Sequence, residues 1–273
     1  MISKQKEQLV IQKQATPTVS IIMPAYNAAN TIRDSINSVL AQTFENWELV
    51  IVDDCSQDKT VAIVKTFAEA DIRVQLYLNE QNLGAAKTRN NAISQAQGEW
   101  LAFLDSDDIW RHDKLEKQLK FAEETNAKIT YTSTAYINVF DETSTYVLPA
   151  LYQLPYKTLL RRNLMSCSSV MVRKDVMVPF PEGNMPEDYA VWLRILKKVG
   201  YSNGLNEPLL QYRLSENSKS GKRINSAKMI YNSYRQVGYG VLASYIFTAR
   251  YAIHSISKRT YVNIGLERPK RNA

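Results

Sequence analysis

The chain is poor in the residues that several common chemistries require. Its 273 residues include two cysteines, Cys55 and Cys167, far apart and without CxxC spacing. A disulfide framework or a thiolate zinc site is therefore not expected, and a reducing cytoplasm is the natural compartment. Two histidines, His112 and His254, leave little for imidazole chemistry. No GxGxxG follows a strand-like run, which removes a dinucleotide oxidoreductase. Gly and Pro stand at 9 each, too few for a collagen-like or low-complexity chain. Uninterrupted apolar runs of about 18 residues are missing, so no segment is expected to span a membrane. Met1 to Gln14 alternates polar and charged residues and has no run suited to a signal peptide.

What is present is an ordinary globular composition, 45% hydrophobic and 22% charged, enough for one sizeable core and a small appended module. The charge is uneven. The whole chain carries +7, but from Lys219 onward eleven Lys or Arg face one acid, Glu267, giving a tail of +10 and a remainder of −3. Such a tail is expected to meet something anionic, while the body is not expected to bind nucleic acid.

Short apolar runs alternate with helical periodicity through the first half, the pattern of βα units around a largely parallel sheet. Strands are predicted at Val19–Met23, stopped by Pro24, and at Glu48–Val52, Val74–Leu78, Trp100–Leu104, Lys128–Ser133 and Ser168–Val172. Asn30 is expected to cap the first helix, Gly98 to close the third, and Asn203-Gly204 to form a turn after a helix over Tyr189–Val199. The division expected is a polar segment at 1–15, a catalytic domain at 16–218 and a basic helical extension at 219–273.

In an open α/β sheet, ligands bind outside the carboxyl ends of the strands. Acids stand at two of those ends, Asp53-Asp54 and Asp105-Ser106-Asp107-Asp108. A nucleoside-diphosphate sugar suits two such sets: its base and ribose need acceptors, and its pyrophosphate needs a divalent cation held by hard oxygen ligands.

Five segments in order carry a family resemblance: Ser20–Asn27, Glu48–Ser56, Asn82–Asn90, Phe103–Asp108 and Glu187–Leu193. Over roughly residues 17 to 220 the chain resembles glycosyltransferase family 2. The resemblance implies an α/β fold of the GT-A type, a Rossmann-like mixed, mostly parallel sheet flanked by helices. It also implies an inverting, metal-dependent transfer from a nucleotide sugar, UDP foremost, to a glycan or lipid-linked acceptor of the bacterial surface. Pro24, Tyr26 and Asp53 are then expected to line the nucleoside pocket, Arg89 to approach the nucleotide's charged or polar groups, Asp105 to hold the ribose or metal-bound water, and Asn27, Asp54, Asn82, Gly84 and Ser106 to contribute to nucleotide-sugar binding. Asp107, with Asp105, is expected to hold Mn²⁺ or Mg²⁺, and Asp188 to be the general base. Arg213, Ser218 and Ser220 match a loop that closes over the diphosphate. Where many relatives have a His two residues after that Arg, this chain has Ser215, so a histidine metal ligand is not expected there.

Each residue also has a structural reading. Asp53 can cap a helix, Glu187-Asp188 can be acids at a helix N-terminus, and Arg89 can pair with a carboxylate of its own sheet. Rival functions are less well served. A haloacid-dehalogenase-like phosphohydrolase wants its DxD on the first strand and a Thr or Val where this chain has Ile109. A sugar-nucleotide nucleotidyltransferase wants a Gly-rich cationic loop where this chain has Pro24–Asn30. A non-catalytic sugar-binding module has no need of Asp188. Residues 229–256 mix apolar and aromatic with basic residues, as an interfacial helix would, and also suit packing on the domain or a homo-oligomer contact.

Overall fold

The computed structural model describes residues 16–137, 143–214 and 223–266. Strand β1 (Val19–Ala25) lies between β2 (Trp47–Asp53) and β4 (Trp100–Phe103), parallel to both, with β3 (Val74–Leu78) beyond β2. β1 and β2 are near-continuous apolar runs because both of their faces are covered. Ile21 and Met23 join one core, with α1 (Ile32–Leu40) and α2 (Thr60–Ala70); Ile22 joins the other, on the face of α3 (Ala85–Gln95) and α6 (Glu187–Val199).

Beyond β4 the sheet turns mixed. β9 (Met171–Arg173) runs antiparallel between β4 and β6 (Ile129–Ile137), and β10 (Tyr201–Arg213) follows parallel to β6. Three short strands that the periodicity did not reveal complete the sheet: β5 (Ile109–Trp110) and β8 (Gln153–Pro155) on β10, and β7 (Thr143–Leu148) on β6. Helix α4 (Lys114–Glu124), the single turn α5 (Tyr156–Leu159) and the extension helices α7 (Arg223–Gln236) and α8 (Val241–Leu266) surround it. The helical C-terminal extension packs on the core: Ile230, Tyr234 and Val237 are buried, and Tyr239, Phe247 and Tyr251 lie against the same cluster. Tyr234 donates to the Leu160 carbonyl at 2.6 Å and meets the Tyr189 hydroxyl at 3.2 Å.

Several local expectations need correction. β1 continues through Pro24 to Ala25. Ile22 accepts from Leu104 N–H, so Pro24, two residues on, faces the flank where β4 has already ended, and its missing donor removes no ladder bond. Thr31, not Asn30, occupies the N-cap position of α1. Helix α3 ends at Gln95 with Ala96 as its cap; Gly98 instead lets the chain approach β1, where a Cβ would lie 2.6 Å from the Ser20 nitrogen. Cys167–Ser169 is a 3-10 turn, and the strand begins only at Met171. Asn203-Gly204 is no turn but part of β10. A Cβ at Gly204 would lie 2.2 Å from the Leu151 carbonyl, so the glycine answers a close crossing, while Gly200, with φ +91°, makes the bend after α6.

Candidate active site

The site forms where β1, β2 and β4 end and α6 begins. Past β1, Tyr26 is 51% exposed, and Asn27 takes a left-handed φ of 48° that a short amide tolerates. Asn27 locks its loop to the next one: its N–H donates to Ser56 Oγ at 2.9 Å, and its Oδ1 accepts from Gln57 N–H at 2.8 Å. Asp53 is buried and accepts from both the N–H and the hydroxyl of Ser56. Pro24 is half-buried beside it.

Asp54 is buried too, but its carboxylate turns to the following βα loop. It accepts from Asn79 Nδ2 and from the N–H groups of Leu83 and Gly84, each at 2.8–2.9 Å. Burial works to raise the Asp54 pKa, yet these bonds outweigh it and hold the carboxyl below its ordinary range. Gly84, with φ +81°, starts α3 in a conformation that suits glycine, and Asn82 beside it is exposed.

The acidic loop after β4 is fixed from three sides. Asp105 N–H donates to Ser168 Oγ at 3.0 Å, and the Ser168 hydroxyl donates in turn to the buried carboxylate of Asp108. Thr31 Oγ1 donates to the Ser106 carbonyl at 2.9 Å. Arg213, at the end of β10, donates its N–H to Asp108 and its Nε to the Asp107 carbonyl, at 3.0 and 3.1 Å. Its guanidinium also stands 3.8 Å from Asp34. Ser215, Ser218 and Ser220 lie outside the described residues.

Beneath the loop, Arg89 joins the two acidic elements. Its guanidinium bonds Asp105 at 2.6 Å and Glu187 at 2.8 Å, with its side chain 8% exposed, and the Phe180 ring lies 5.5 Å away. Asp188 follows Glu187 in the first turn of α6. Burial pushes its pKa up to about 6; the Glu187 charge adds to this and Arg89 opposes it. Asp107 is likewise pushed up to about 6, by burial and then by the Asp105 charge. Asp108 is held well above its ordinary value, by burial first and then by Asp107 and Asp105. Carboxyls raised to about 6, as at Asp188 and Asp107, can change protonation near neutral pH, as acid–base groups must.

Among the described residues, no group of three or more His, Cys, Asp or Glu is arranged to hold a metal ion. Asp105 and Asp107, mutually repelling and part-buried, nonetheless fit a hard divalent cation whose remaining ligands come from a diphosphate and water. A cleft of about 280 Å³ opens beside Glu187, between the first turn of α3, the loop of Glu182, Gly183, Asn184 and Met185, and Met229 of α7.

The structure thus brings Asp105, Asp107, Arg89, Asp188 and Arg213 around one centre, and sets Tyr26, Asn27 and Asp53 at its β1–β2 side. Glu187, as the second anchor of Arg89, and Ser168, as the post under two aspartates, were not singled out from the sequence. Ser168 had no signal to offer, being a serine in an irregular turn that only the tertiary fold brings to the loop.

Residues 20–175 match the model of glycosyl transferase family 2. TuaG of Bacillus subtilis (strain 168), a glycosyltransferase assigned to teichuronic acid biosynthesis, is 37% identical over 247 residues, covering 89% of this chain and 98% of that one. WfgD of Escherichia coli, a UDP-Glc:alpha-D-GlcNAc-diphosphoundecaprenol beta-1,3-glucosyltransferase, is 36% identical over 249 residues, 89% of this chain and 95% of that one. The crystal structure of S. aureus TarS 1–349 in complex with UDP superposes with a TM-score of 0.67 at 21% identity, over 89% of this chain and 73% of that one. It shares the GT-A type fold. With the family model and both full-length relatives in agreement, this chain belongs to glycosyltransferase family 2.

Proposed function

We propose that this chain transfers a sugar from a UDP-sugar to a hydroxyl of a glycan or lipid-linked saccharide, in the synthesis of a bacterial surface polysaccharide, with inversion at the anomeric carbon. One observation carries the reading: Arg89 bonds Asp105 on the acidic loop and Glu187 on the base-bearing helix, so both halves of the chemistry share one rigid brace. UDP as the donor is supported by the bound UDP of the TarS structure and by the donor in WfgD's name. A lipid-linked acceptor is supported by the diphosphoundecaprenol in that same name.

The nucleoside lies against Tyr26 and Asp53, where the Asn27–Gln57 lock keeps the two loops together. Asp105 and Asp107 would hold Mn²⁺ or Mg²⁺, which supplies Lewis-acid neutralisation of the departing diphosphate. The cleft beside Glu187 would take the acceptor sugar, and Asp188, the next residue of α6, would be its base. Asp188 takes the proton as the new glycosidic bond forms, and displacement from the face opposite the diphosphate inverts the centre. A nucleotidyltransferase is disfavoured, because the loop Pro24–Asn30 carries no cation and is tied down through Asn27.

The test is a thermal-shift panel of nucleotide sugars with and without Mn²⁺, followed by transfer assays with the donor that raises the melting temperature most. Binding to the native state raises that temperature by linkage. A panel in which no UDP-sugar shifts the transition overturns the reading.

A further inference from the structure

Over residues 241–253 helix α8 is apolar on two faces, one of them covered and the other largely open, with Tyr245 tilted against Tyr231 of α7 at 4.7 Å. Phe247 and Tyr251 turn inward, their rings 5.5 Å from Tyr234 and 5.4 Å from Tyr189, and Ser244 beside them is fully buried. The opposite arc carries Val241, Leu242, Tyr245, Ile246 and Ile253, exposed by 56, 74, 62, 45 and 70%. At 100° per residue these five fall within about 140° of the helix circumference. Single exposed apolar residues are ordinary on a protein surface; five large ones on one arc of one helix mark an interaction face. Arg250 is exposed at its margin, and the chain beyond carries Lys258, Arg259, Arg268, Lys270 and Arg271 against Glu267 alone. Among the described residues, no helix is long and apolar enough to cross a membrane.

We propose that this arc of α8 docks in the headgroup boundary of an anionic lipid bilayer, with the helix lying in the membrane plane, and that α8 thereby fixes the height of the Asp188 end of the active site above the lipid. Charge selects the lipid surface over a second copy of the chain. The tail holds +10 while the rest of the chain holds −3. A two-fold contact through α8 would bring two such tails together, whereas an anionic bilayer neutralises one. An apolar arc with Arg250 at its margin, followed in the sequence by further basic residues, is what an interfacial helix presents to such a surface.

The inner face explains why docking would matter to the reaction. Tyr251 packs on Tyr189, the residue next to Asp188, and Tyr189 donates its hydroxyl to the Leu159 carbonyl at 2.9 Å. Lys197, on the same helix as Asp188, donates to the Val237 carbonyl at 2.9 Å, just before α8 begins. A helix seated in the lipid would therefore be joined to the base-bearing helix by direct contacts. The purpose of docking, delivery of a lipid-carried acceptor, rests on the transferase reading; the docking itself rests on α8.

The experiment is co-sedimentation of the full chain with phosphatidylglycerol-containing and pure phosphatidylcholine vesicles, without donor or acceptor. Binding is expected to the anionic vesicles only, weakened by high salt, and reduced roughly tenfold or more in Leu242→Glu/Ile246→Glu. UDP affinity of that variant, measured in parallel, should be unchanged, which separates loss of docking from failure of the transferase reading. A Leu242→Trp variant should show an additional blue-shifted emission with anionic vesicles, a readout that does not depend on the charge substitutions. No sedimentation at low salt, or a dimer by light scattering that Leu242→Glu/Ile246→Glu dissolves without any vesicle binding, overturns the proposal.

Discussion

The guanidinium of Arg89 meets the carboxylate of Asp105 at 2.6 Å, across 16 residues of chain and between a helix and a loop. With its other arm on Glu187, Arg89 is 8% exposed and its Nε finds no partner among the described residues. The arrangement spends one buried cation on holding two anions in place.

Replacing Arg89 by Met should therefore do more than weaken a contact. It leaves Asp105 and Glu187 facing each other without their shared counter-charge, and removing one partner of a buried pair costs about 3–5 kcal/mol. Arg89→Lys keeps the charge but loses the fork that reaches both carboxylates. Urea unfolding should rank wild type above Arg89→Lys above Arg89→Met. Equal midpoints for wild type and Arg89→Met would make the brace irrelevant to stability.

The loop after β2 separates two adjacent aspartates by task. Asp53 keeps its carboxylate on Ser56, whereas Asp54 holds the turn at Leu83 and Gly84. Asp54→Ala should free two backbone donors and loosen the start of α3, costing about 1–3 kcal/mol. Hydrogen exchange at the Leu83 and Gly84 amides is the measurement, and protection equal to wild type would contradict the assignment.

How much of this was legible beforehand follows from the range of each signal. Apolar runs such as Glu48–Val52 announced buried parallel strands, and the acids at their ends announced the site, because both are local patterns. Asp105, Asp107 and Asp188 stand near Arg89 in the fold, and it was the order of the motifs that singled them out. The pairing of Arg89 with Glu187, and Ser168 under Asp105 and Asp108, depends on contacts between residues 60 to 98 positions apart. Nothing local encodes them. The short strands β5, β7 and β8 escaped for a similar reason, being defined by a partner strand rather than by their own periodicity. Asn203-Gly204 misled because glycine signals both turns and close crossings.

That last distinction can be checked directly. Gly204→Ala would set a methyl 2.2 Å from the Leu151 carbonyl and 2.9 Å from the Tyr131 ring, so backbone must shift. Overpacking of this kind costs about 1–3 kcal/mol or more. A turn glycine at a permissive position would instead tolerate alanine or gain slightly. Thermal denaturation of the variant decides between them, with a clear loss expected.

Asp107 carries the metal prediction. Its carboxylate and that of Asp105 repel each other in a part-buried site, a deficit that a divalent cation with a diphosphate would relieve. Calorimetric titration with UDP should show affinity that falls on adding EDTA and falls to a similar degree in Asp107→Ala. Affinity that is the same in both conditions would remove the metal from the binding step.

Asp188 joins chemistry to pH. Burial, with the Glu187 charge, raises its pKa from 3.8 to about 6. As a base it must be ionised, so turnover should rise with pH through about 6 and level off above it, with UDP affinity following a separate profile. The stability linkage has the opposite sign. A carboxyl whose folded pKa lies above its unfolded value binds more protons when folded, so its contribution to stability is lost as pH climbs from about 4 to 6. Asp188→Asn removes that cost, on the order of 3 kcal/mol, and should be at least as stable as wild type at neutral pH. It should also cut turnover by about 10²–10⁴-fold, the range for a positioned general base, while leaving UDP binding nearly intact. A variant that gains stability and loses turnover identifies a strained catalytic base; one that keeps turnover within a few-fold reduces Asp188 to an acid at a helix N-terminus, and the base must then be sought elsewhere in the centre.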